Sequence, residues 1–565
     1  MKWQLKNNTK VLPQSLISVW KQIGISPILG KILYNRGLSN KQDIEIFLNP
    51  SLKHLPPLEV WPELLDAAKY LSQKISKGAK LAIWGDYDVD GITSTALLTD
   101  FFRQKNISVL TYIPSRSEGY GLNEPGLKKL QEQGINIVLT VDCGISQCQE
   151  AAFAKSCNLE LIITDHHTPP AQLPEAKFIL NPKLINSAYT DLAGVGVAFL
   201  FAAALNRFLP GPKLDIRYYL DLVALGTIAD VVELSWVNRI LTKNGLLVLA
   251  NSQRPGIIAL KEKSGLSEKK KLGSGDIGFI LGPRLNACGR LKTANPALRL
   301  LLETDINEAR KIANELESLN TQRRQVEEEI LKQACLQAKN IYPTPGLVLF
   351  APNWHEGVIG IVASKIVQEF YRPCIILTED NGFLKGSGRS IPEIDLYAIL
   401  NKTAHLLESF GGHKMAAGLK LKKENFPSFQ KQFQEIISQT YGDKFTPTIY
   451  LDALINFNAL TPSLIKELEM LQPFGPGNPR PLFLSPLLEV KAQNFFGMDD
   501  SHISFYLKDT SSNLNLEGKI WHQGHKYKNI NFINKKVRLA FSPRLNNYRD
   551  LLSVTLQIEE ILEVQ

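Results

Sequence analysis

The residues of this chain that could do chemistry are carboxylates and imidazoles in short clusters, each behind an apolar run. Gly85-Asp86-Tyr87-Asp88-Val89-Asp90-Gly91 follows Leu81-Ala82-Ile83-Trp84 and puts three carboxylates within five residues. Like charges so close repel and raise one another's pKa, so the stretch is costly unless a cation sits among them. Asp142-Cys143-Gly144 ends the run from Ile135 to Val141, and Asp165-His166-His167 ends the run from Leu159 to Thr164. Asp230 closes Gly226-Thr227-Ile228-Ala229-Asp230; alone it reads more readily as a helix cap or turn aspartate. Together Asp86, Asp88, Asp90, Asp142, His166 and Asp230 form an oxygen-rich set with one imidazole, which suits Mn²⁺ or Mg²⁺ better than a zinc finger. Two such ions about 3.5–4 Å apart clamp a phosphate and lower the pKa of a water between them. Asp142 is the natural bridge. His167, left off the metal, is suited to hydrogen-bond a phosphoryl oxygen or to protonate a leaving group. The expected chemistry is attack of an activated water on a phosphate-bearing substrate, with Asp142 and His167 as catalytic residues.

The elements that must position these groups follow from apolar periodicity. Lys80–Trp84, Ser108–Ile113, Ile135–Val141, Leu159–Thr164 and Phe178–Leu180 are short apolar runs separated by helical stretches. That alternation predicts a parallel sheet covered on both faces. Ligands in such sheets bind beyond the carboxyl ends of the strands, where Asp88, Asp90, Asp142, His166 and His167 fall. A helix is expected from Ile92 to Arg103, with Gly91 as a turn that splays Asp88 from Asp90. Residues 1–79 read as an N-terminal arm packed on this first domain, ending in an amphipathic helix, Pro62 to Ser76.

Gly282-Pro283-Arg284-Leu285-Asn286-Ala287-Cys288-Gly289-Arg290 reads as a Gly-rich loop that either cradles a phosphate or simply turns the chain. Residues 305–340 lack Gly and Pro, and one helix of that length would span about 54 Å. A second α/β domain, residues 341–446, opens with strands Leu347–Phe350 and Cys374–Leu377. Its Gly386-Ser387-Gly388-Arg389-Ser390 and Gly411-Gly412-His413 segments read as small-residue loops that let the backbone approach an anion.

From residue 447 the pattern becomes alternating strands (Ile449–Ile455, Leu482–Val490, Ile503–Lys508, Leu514–Trp521, Lys536–Phe541 and Leu551–Ile558), which predicts a small all-β barrel. Pro473-Phe474-Gly475-Pro476-Gly477-Asn478-Pro479 reads as a rigid turn. Lys519 to Arg549 carries eight basic residues and no acidic one, Lys526, Lys535, Lys536 and Arg538 among them. Trp521, Tyr527, Phe532, Phe541 and Tyr548 are interleaved. A basic groove with stacking aromatics holds single strands; the other reading is a solvated face over core aromatics.

Composition narrows the class. The chain has 565 residues, enough for three or four domains, with 44% hydrophobic residues and a formal charge of +9. That balance permits a polyanionic partner at a local surface. Six cysteines form no C-x-x-C pair, which argues against a zinc or disulfide framework and for a reducing compartment. Met1–Asn7 has no apolar h-region, so no signal peptide is expected. Gly194–Leu205, the most apolar stretch, is shorter than the about 20 residues a membrane span needs. A soluble, cytoplasmic protein is expected, with no membrane partner.

Asp86-Tyr87-Asp88-Val89-Asp90, Asp142-Cys143-Gly144, Asp165-His166-His167 and Gly226–Asp230 resemble the four motifs of the DHH phosphoesterase superfamily. Gly411-Gly412-His413 with Ala416-Ala417-Gly418 resembles the motif of its associated substrate-binding domain. The full order of motifs is similar to that of the bacterial single-strand-specific 5′→3′ DNA exonucleases. The resemblance implies a DHH domain over residues 80–304, a connector helix over 305–340, the associated domain over 341–446 and an OB-type barrel over 447–565. It implies hydrolysis of single-stranded DNA to 5′-mononucleotides in repair and recombination. It implies Asp88 and Asp142 on one ion, with Asp86 either a further ligand or a group orienting one, and Asp90, Asp142, His166 and Asp230 on the other. His167 would face the scissile phosphate. Arg116, Arg284, Asn286, Arg290, Ser387, Arg389, Ser390 and His413 would hold the strand and its 5′ phosphate. A RecQ-type helicase and a single-strand-binding protein are the implied partners, and a monomer the implied state. The rival readings are a DHH phosphodiesterase for short oligonucleotides or cyclic dinucleotides, and a non-catalytic replication scaffold.

Overall fold

The computed structural model describes residues 2–6, 13–548 and 551–565, without the side chains of residues 547, 548, 551 and 552. Its first sheet has five parallel strands in the order Val109–Tyr112, Leu81–Trp84, Ile137–Val141, Glu160–Thr164, Phe178–Leu180. Leu81–Trp84 and Ile137–Val141 are buried at every position. The reason is coverage of both faces. Leu81, Ile83 and Leu139 pack with Leu97, Phe101 and Ala198, from helices Val89–Gln104 and Gly194–Phe208. Ala82, Trp84 and Val138 pack with Leu127, Leu130 and Ala151, from helices Glu124–Glu132 and Cys148–Ser156. All five carboxyl ends therefore open to one edge.

Helix Val89–Gln104 starts earlier than its periodicity suggests. Asp88 caps it, its Oδ1 accepting from the backbone N–H groups of Asp90 (2.9 Å) and Gly91 (3.1 Å). Gly91 is thus a helical residue, not a turn. A Cβ there would sit 2.5 Å from the Asp86 backbone, so the glycine lets the carboxylate loop fold onto the helix.

The segment expected to be a Gly-rich loop is a helix, Gly282–Leu291, entered through a π-helical turn at Ile277–Leu281. Its glycines serve packing: a Cβ at Gly289 would meet the Tyr87 carbonyl at 2.5 Å. Helix Ile306–Ile341, capped by Asp305, runs between the two α/β domains. Ala309, Ile312 and Leu316 belong to the first core, and Ile330, Ala334 and Ala338 to the second.

The second domain holds a five-stranded sheet in the order Ser409–Gly412, Ala416–Lys422, Phe383–Arg389, Cys374–Asp380, Leu347–Phe350. The expected small-residue loops lie mainly on its strands. A Cβ at Gly386 would strike Leu377 at 2.5 Å and one at Gly388 would strike Leu396 at 2.8 Å, so these glycines answer close packing.

Leu488–Phe496, His502–Asp509, Leu514–Ile520, Leu551–Val564 and Lys536–Tyr548 pair in that cycle and close a five-stranded barrel. The N-terminal arm does not pack as a whole on the first domain. Strand Lys2–Leu5 pairs in parallel with Thr448–Leu451. Leu16, Trp20, Leu29, Ile32, Leu33, Ile44 and Leu48 share a core with Phe483, Leu488 and Ile503 of the barrel domain. The stretch containing Leu58, Leu64 and Leu71 joins the first core. Periodicity shows which face of a helix is apolar but not which distant surface covers it.

Candidate metal centre and nucleic-acid cleft

Each carboxylate is set by a different element. Asp86 lies in the loop after Leu81–Trp84, Asp88 caps the following helix and Asp90 is in its first turn. The Asp90 carboxylate accepts from the N–H groups of Gly194 (2.7 Å) and Val195 (2.8 Å), at the start of helix Gly194–Phe208. Asp142 follows strand Ile137–Val141 in the left-handed region (φ 62°). His166 follows strand Glu160–Thr164, and Asp230 ends helix Leu220–Ala229.

These side chains converge. His166 Nε2 lies 3.1 Å from Asp142 Oδ1, 3.5 Å from Asp230 Oδ2 and 3.8 Å from Asp90 Oδ2. Asp86, Asp88 and Asp142 bring ligand atoms within 4.8 Å of one another, as do Asp90, His166 and Asp230, and Asp142, His166 and His167. Asp142 therefore stands between two ligand groups. Burial, then the neighbouring carboxylates, pushes the carboxyls of Asp86, Asp142 and Asp230 well above their ordinary range, and that of Asp90 to about 7. Burial and the nearby His167 push His166 down to about 3, leaving a neutral imidazole. Asp86 Oδ1, Asp142 Oδ1, His166 Nε2 and Asp230 Oδ2 are buried without hydrogen-bond partners. Each such atom costs roughly 1–3 kcal/mol if nothing meets it. Four unpaired ligand atoms in carboxylate-rich groups fit a hard divalent cation such as Mn²⁺ or Mg²⁺.

His167 is held differently. Asp165 Oδ1 faces its Nδ1 at 2.8 Å, and accepts from the backbone N–H groups of His166 and His167. Burial works against charge on Asp165, yet the His167 contact and the N–H donor of Ile145 keep its carboxyl below the ordinary range. An ionised carboxylate only accepts, so Nδ1 carries the hydrogen and Nε2 is the free nitrogen.

Around this centre the arginines divide. The Arg116 guanidinium lies 4.1 Å from the centre of the Tyr87 ring and donates from Nε to the Gly289 carbonyl at 2.9 Å. Arg290 donates to the Gly357 carbonyl at 3.0 Å, tying the first domain to helix Glu356–Phe370 of the second. Burial, with the charges of Arg116, Arg323 and Arg389 close by, pushes Arg290 down to about 10. Arg389 Nη1 donates to Ser387 Oγ at 3.1 Å. Arg116, Arg290, Ser387 and Arg389 thus gather where the two domains meet. Two expected substrate groups do not. The Arg284 guanidinium is spent on Glu317 and the Ile280 carbonyl, and the Ser390 hydroxyl on the Ile394 carbonyl. Asn286 is half-buried on the same helix as Arg284. His413 Nε2 reaches across to Thr168 Oγ1 at 3.0 Å, beside Asp165-His166-His167.

In the barrel Trp521 is 44% exposed and makes edge contacts with Phe496 and His502. Lys535 and Lys536 are exposed. Tyr527, Phe532 and Phe541 are core residues, which removes Tyr527 from any stacking surface. Lys526 and Tyr527 both bond Glu560, and Arg538 pairs with Glu563. Tyr548's side chain and Arg549 lie outside the described residues.

The sequence reading passed over Lys183 and Arg323. Lys183 is exposed on a turn set by Asn181, which also bonds the His167 carbonyl, and its charge bears on His166, Asp230 and His413. The signal was a lysine directly after a strand-end Asn-Pro. Arg323 lies among helix-period charges and carried no local signal.

A parallel sheet with this ligand set at its strand ends, joined by a long helix to a mixed sheet whose His413 reaches Thr168 beside the ligands, defines a DHH-type phosphoesterase. Residues 80–227 match the DHH family N-terminal domain, 344–439 the DHHA1 domain and 451–560 the RecJ OB domain. The single-stranded-DNA-specific exonuclease RecJ of Haemophilus influenzae is 33% identical, over 98% of this chain and 99% of its own length. The Bacillus subtilis protein of that name is 36% identical over 92% of this chain, which spans 66% of that longer relative. The crystal structure of Thermus thermophilus RecJ with Mn²⁺ superposes with a TM-score of 0.85 at 30% identity, covering 100% of this chain and 79% of that one. The chain belongs to the RecJ family of single-stranded-DNA-specific exonucleases.

Proposed function

We propose that this chain is an exonuclease that hydrolyses single-stranded DNA from its 5′ end, releasing 5′-mononucleotides, in DNA repair and recombination. The observation that carries the reading is the set of unpaired ligand atoms on Asp86, Asp142, His166 and Asp230, beside the His413–Thr168 contact that joins the two domains. The relatives' crystal structures hold Mn²⁺ or Mg²⁺. In this chain Asp86, Asp88 and Asp142 would hold one ion, and Asp90, Asp142, His166 and Asp230 a second. Such ions supply a nucleophile at neutral pH and charge neutralisation at the phosphate.

The chain's own groups do the rest. Asp165 engages the His167 ring at Nδ1 and leaves Nε2 to hold a proton against a phosphoryl oxygen or the leaving oxygen. Arg116, Arg290 and Arg389 bind the terminal phosphate as charge-assisted donors. The cleft admits one strand and excludes a duplex. Trp521, Lys535 and Lys536 on the barrel hold the incoming strand by stacking and charge. A monomeric, cytoplasmic enzyme working beside a helicase and a single-strand-binding protein suits this substrate.

The test uses the full chain with Mn²⁺ and single strands labelled at the 5′ or the 3′ end. Early release of the 5′ label as a mononucleotide is expected. Early release of the 3′ label, or equal cleavage of duplex, would overturn the reading.

A further inference from the structure

Tyr120 takes part in none of the chemistry above, yet it touches both halves of the site. It stands between two left-handed glycines, Gly119 (φ 98°) and Gly121 (φ 77°), just after the short 3-10 helix Arg116–Glu118. Its hydroxyl donates to the Asp142 backbone carbonyl at 3.1 Å and lies 3.2 Å from His167 Nδ1. Since Nδ1 carries a hydrogen that it gives chiefly to Asp165, the Tyr120 oxygen takes a second, longer share of it. One hydroxyl thereby joins the Asp142 loop to the His167 ring. Asp142 is a non-glycine residue at φ 62°, a conformation that persists only where its surroundings hold it, and this bond is part of that hold. The ring meets His167 edge-on at 5.7 Å between centres and Tyr87 at 6.4 Å, and Tyr87 carries the Arg116 guanidinium on its face. Although its hydroxyl is engaged, Tyr120 remains 41% exposed, so a bare aromatic surface lies between Arg116 and His167.

We infer that Tyr120 is a positioning residue of the reaction. Its hydroxyl locks His167 against the Asp142 loop, and its open ring is the wall against which the terminal nucleotide rests. The inference builds on the exonuclease reading. It assigns two separable duties to one side chain. Losing the hydroxyl should slow the chemical step with little effect on strand binding. Losing the ring should also weaken binding of the strand end.

The experiment compares Tyr120→Phe and Tyr120→Leu with the wild-type chain on a 5′-phosphorylated single strand. Steady-state rates are read alongside Mn²⁺ affinity by calorimetry and melting temperature. Tyr120→Phe is expected to lower kcat about tenfold or more, with KM and Mn²⁺ affinity within about twofold of wild type. Tyr120→Leu is expected to add a several-fold rise in KM. Retention of kcat within about twofold by Tyr120→Phe overturns the proposal. So does a fall in melting temperature and Mn²⁺ affinity that accounts for the lost rate, because that is only structural support. A wild-type chain that digests no single strand would instead overturn the exonuclease reading, and this proposal with it.

Discussion

Asp142 carries a conflict that only its residue-scale surroundings explain. It is buried, left-handed, crowded by Asp90, Asp88, Asp230 and Asp86, and one of its oxygens has no partner. A group so placed weakens the metal-free fold and is kept for function. Asp142→Asn should therefore raise the melting temperature measured in chelator by a few degrees. It should also erase the rise that Mn²⁺ produces in the parent chain, because binding to the folded state alone is what stabilises it. Asp142→Ala should cost at least ~10²–10³-fold in turnover while single-strand binding stays within about threefold. Retained cleavage in Mn²⁺ would remove Asp142 from the centre. Asp86 can be sorted on the same scale: as a direct ligand, Asp86→Asn should cost about as much as Asp88→Asn. As a group that orients a ligand, it should cost only about 10–100-fold.

At the scale of elements, helix ends and glycines set the spacing of the site. The first N–H groups of helix Gly194–Phe208 meet the Asp90 carboxylate, and a Cβ on Gly194 would lie 2.7 Å from Asp142 Oδ1. Gly194→Ala should lower Mn²⁺ affinity about 10–100-fold in calorimetry, with far-UV circular dichroism unchanged. An unaltered affinity would mean that the Asp142 loop yields freely. The long helix carries a different kind of element-scale constraint. Arg323 pairs with Glu327, which also pairs with Lys365 on helix Glu356–Phe370, and both members of the first pair are nearly buried. Glu327→Ala leaves a buried guanidinium uncompensated, so urea unfolding should report a loss of roughly 3–5 kcal/mol. The doubly apolar Arg323→Met, Glu327→Leu should recover most of it.

Considered as a whole, the molecule is stitched end to end. The first strand pairs with the start of the barrel domain, and the arm's helices complete that domain's core. Arg239 of the first domain donates to the carbonyls of Phe47 (2.8 Å), Leu471 (2.8 Å), Gln472 (3.0 Å) and Met470 (3.1 Å). The Pro473–Pro479 turn is held to the first domain by Leu234 N–H, which donates to the Pro476 carbonyl at 2.9 Å. Removing residues 447–565 alone should strip the cover from Trp20, Leu29 and Leu33, and give a chain that aggregates or exchanges its arm amides rapidly. Removing residues 1–50 as well should restore a folded core that still cleaves short substrates but binds long strands weakly. Arm amides that exchange as slowly in the first truncation as in the full chain would show that the arm stands alone.

Much of this chain was legible without a structure because its signals are local. Alternating apolar runs must become buried strands, and a parallel sheet must open its carboxyl ends to one side, so the first fold and the gathering of Asp88, Asp142 and His166 near one edge followed from order alone. Three carboxylates within five residues at the end of a buried strand carry a charge cost that a cation relieves. The tertiary structure decided what depends on distant partners. It made Gly282–Leu291 a helix and put Gly386 and Gly388 on a strand, and their glycines answer close neighbours: the Tyr87 carbonyl at Gly289, the Leu377 and Leu396 side chains at Gly386 and Gly388. It gave Arg284 to Glu317 and Tyr527 to the barrel core, and carried the arm's first helices to the barrel domain while its last helix joined the first core. It also laid Tyr120 against Asp142 and His167, although 22 and 47 residues separate it from them in sequence. Local sequence sets backbone preference and charge cost. Which surface buries a side chain, and which donor meets an acceptor, is a property of the packed whole.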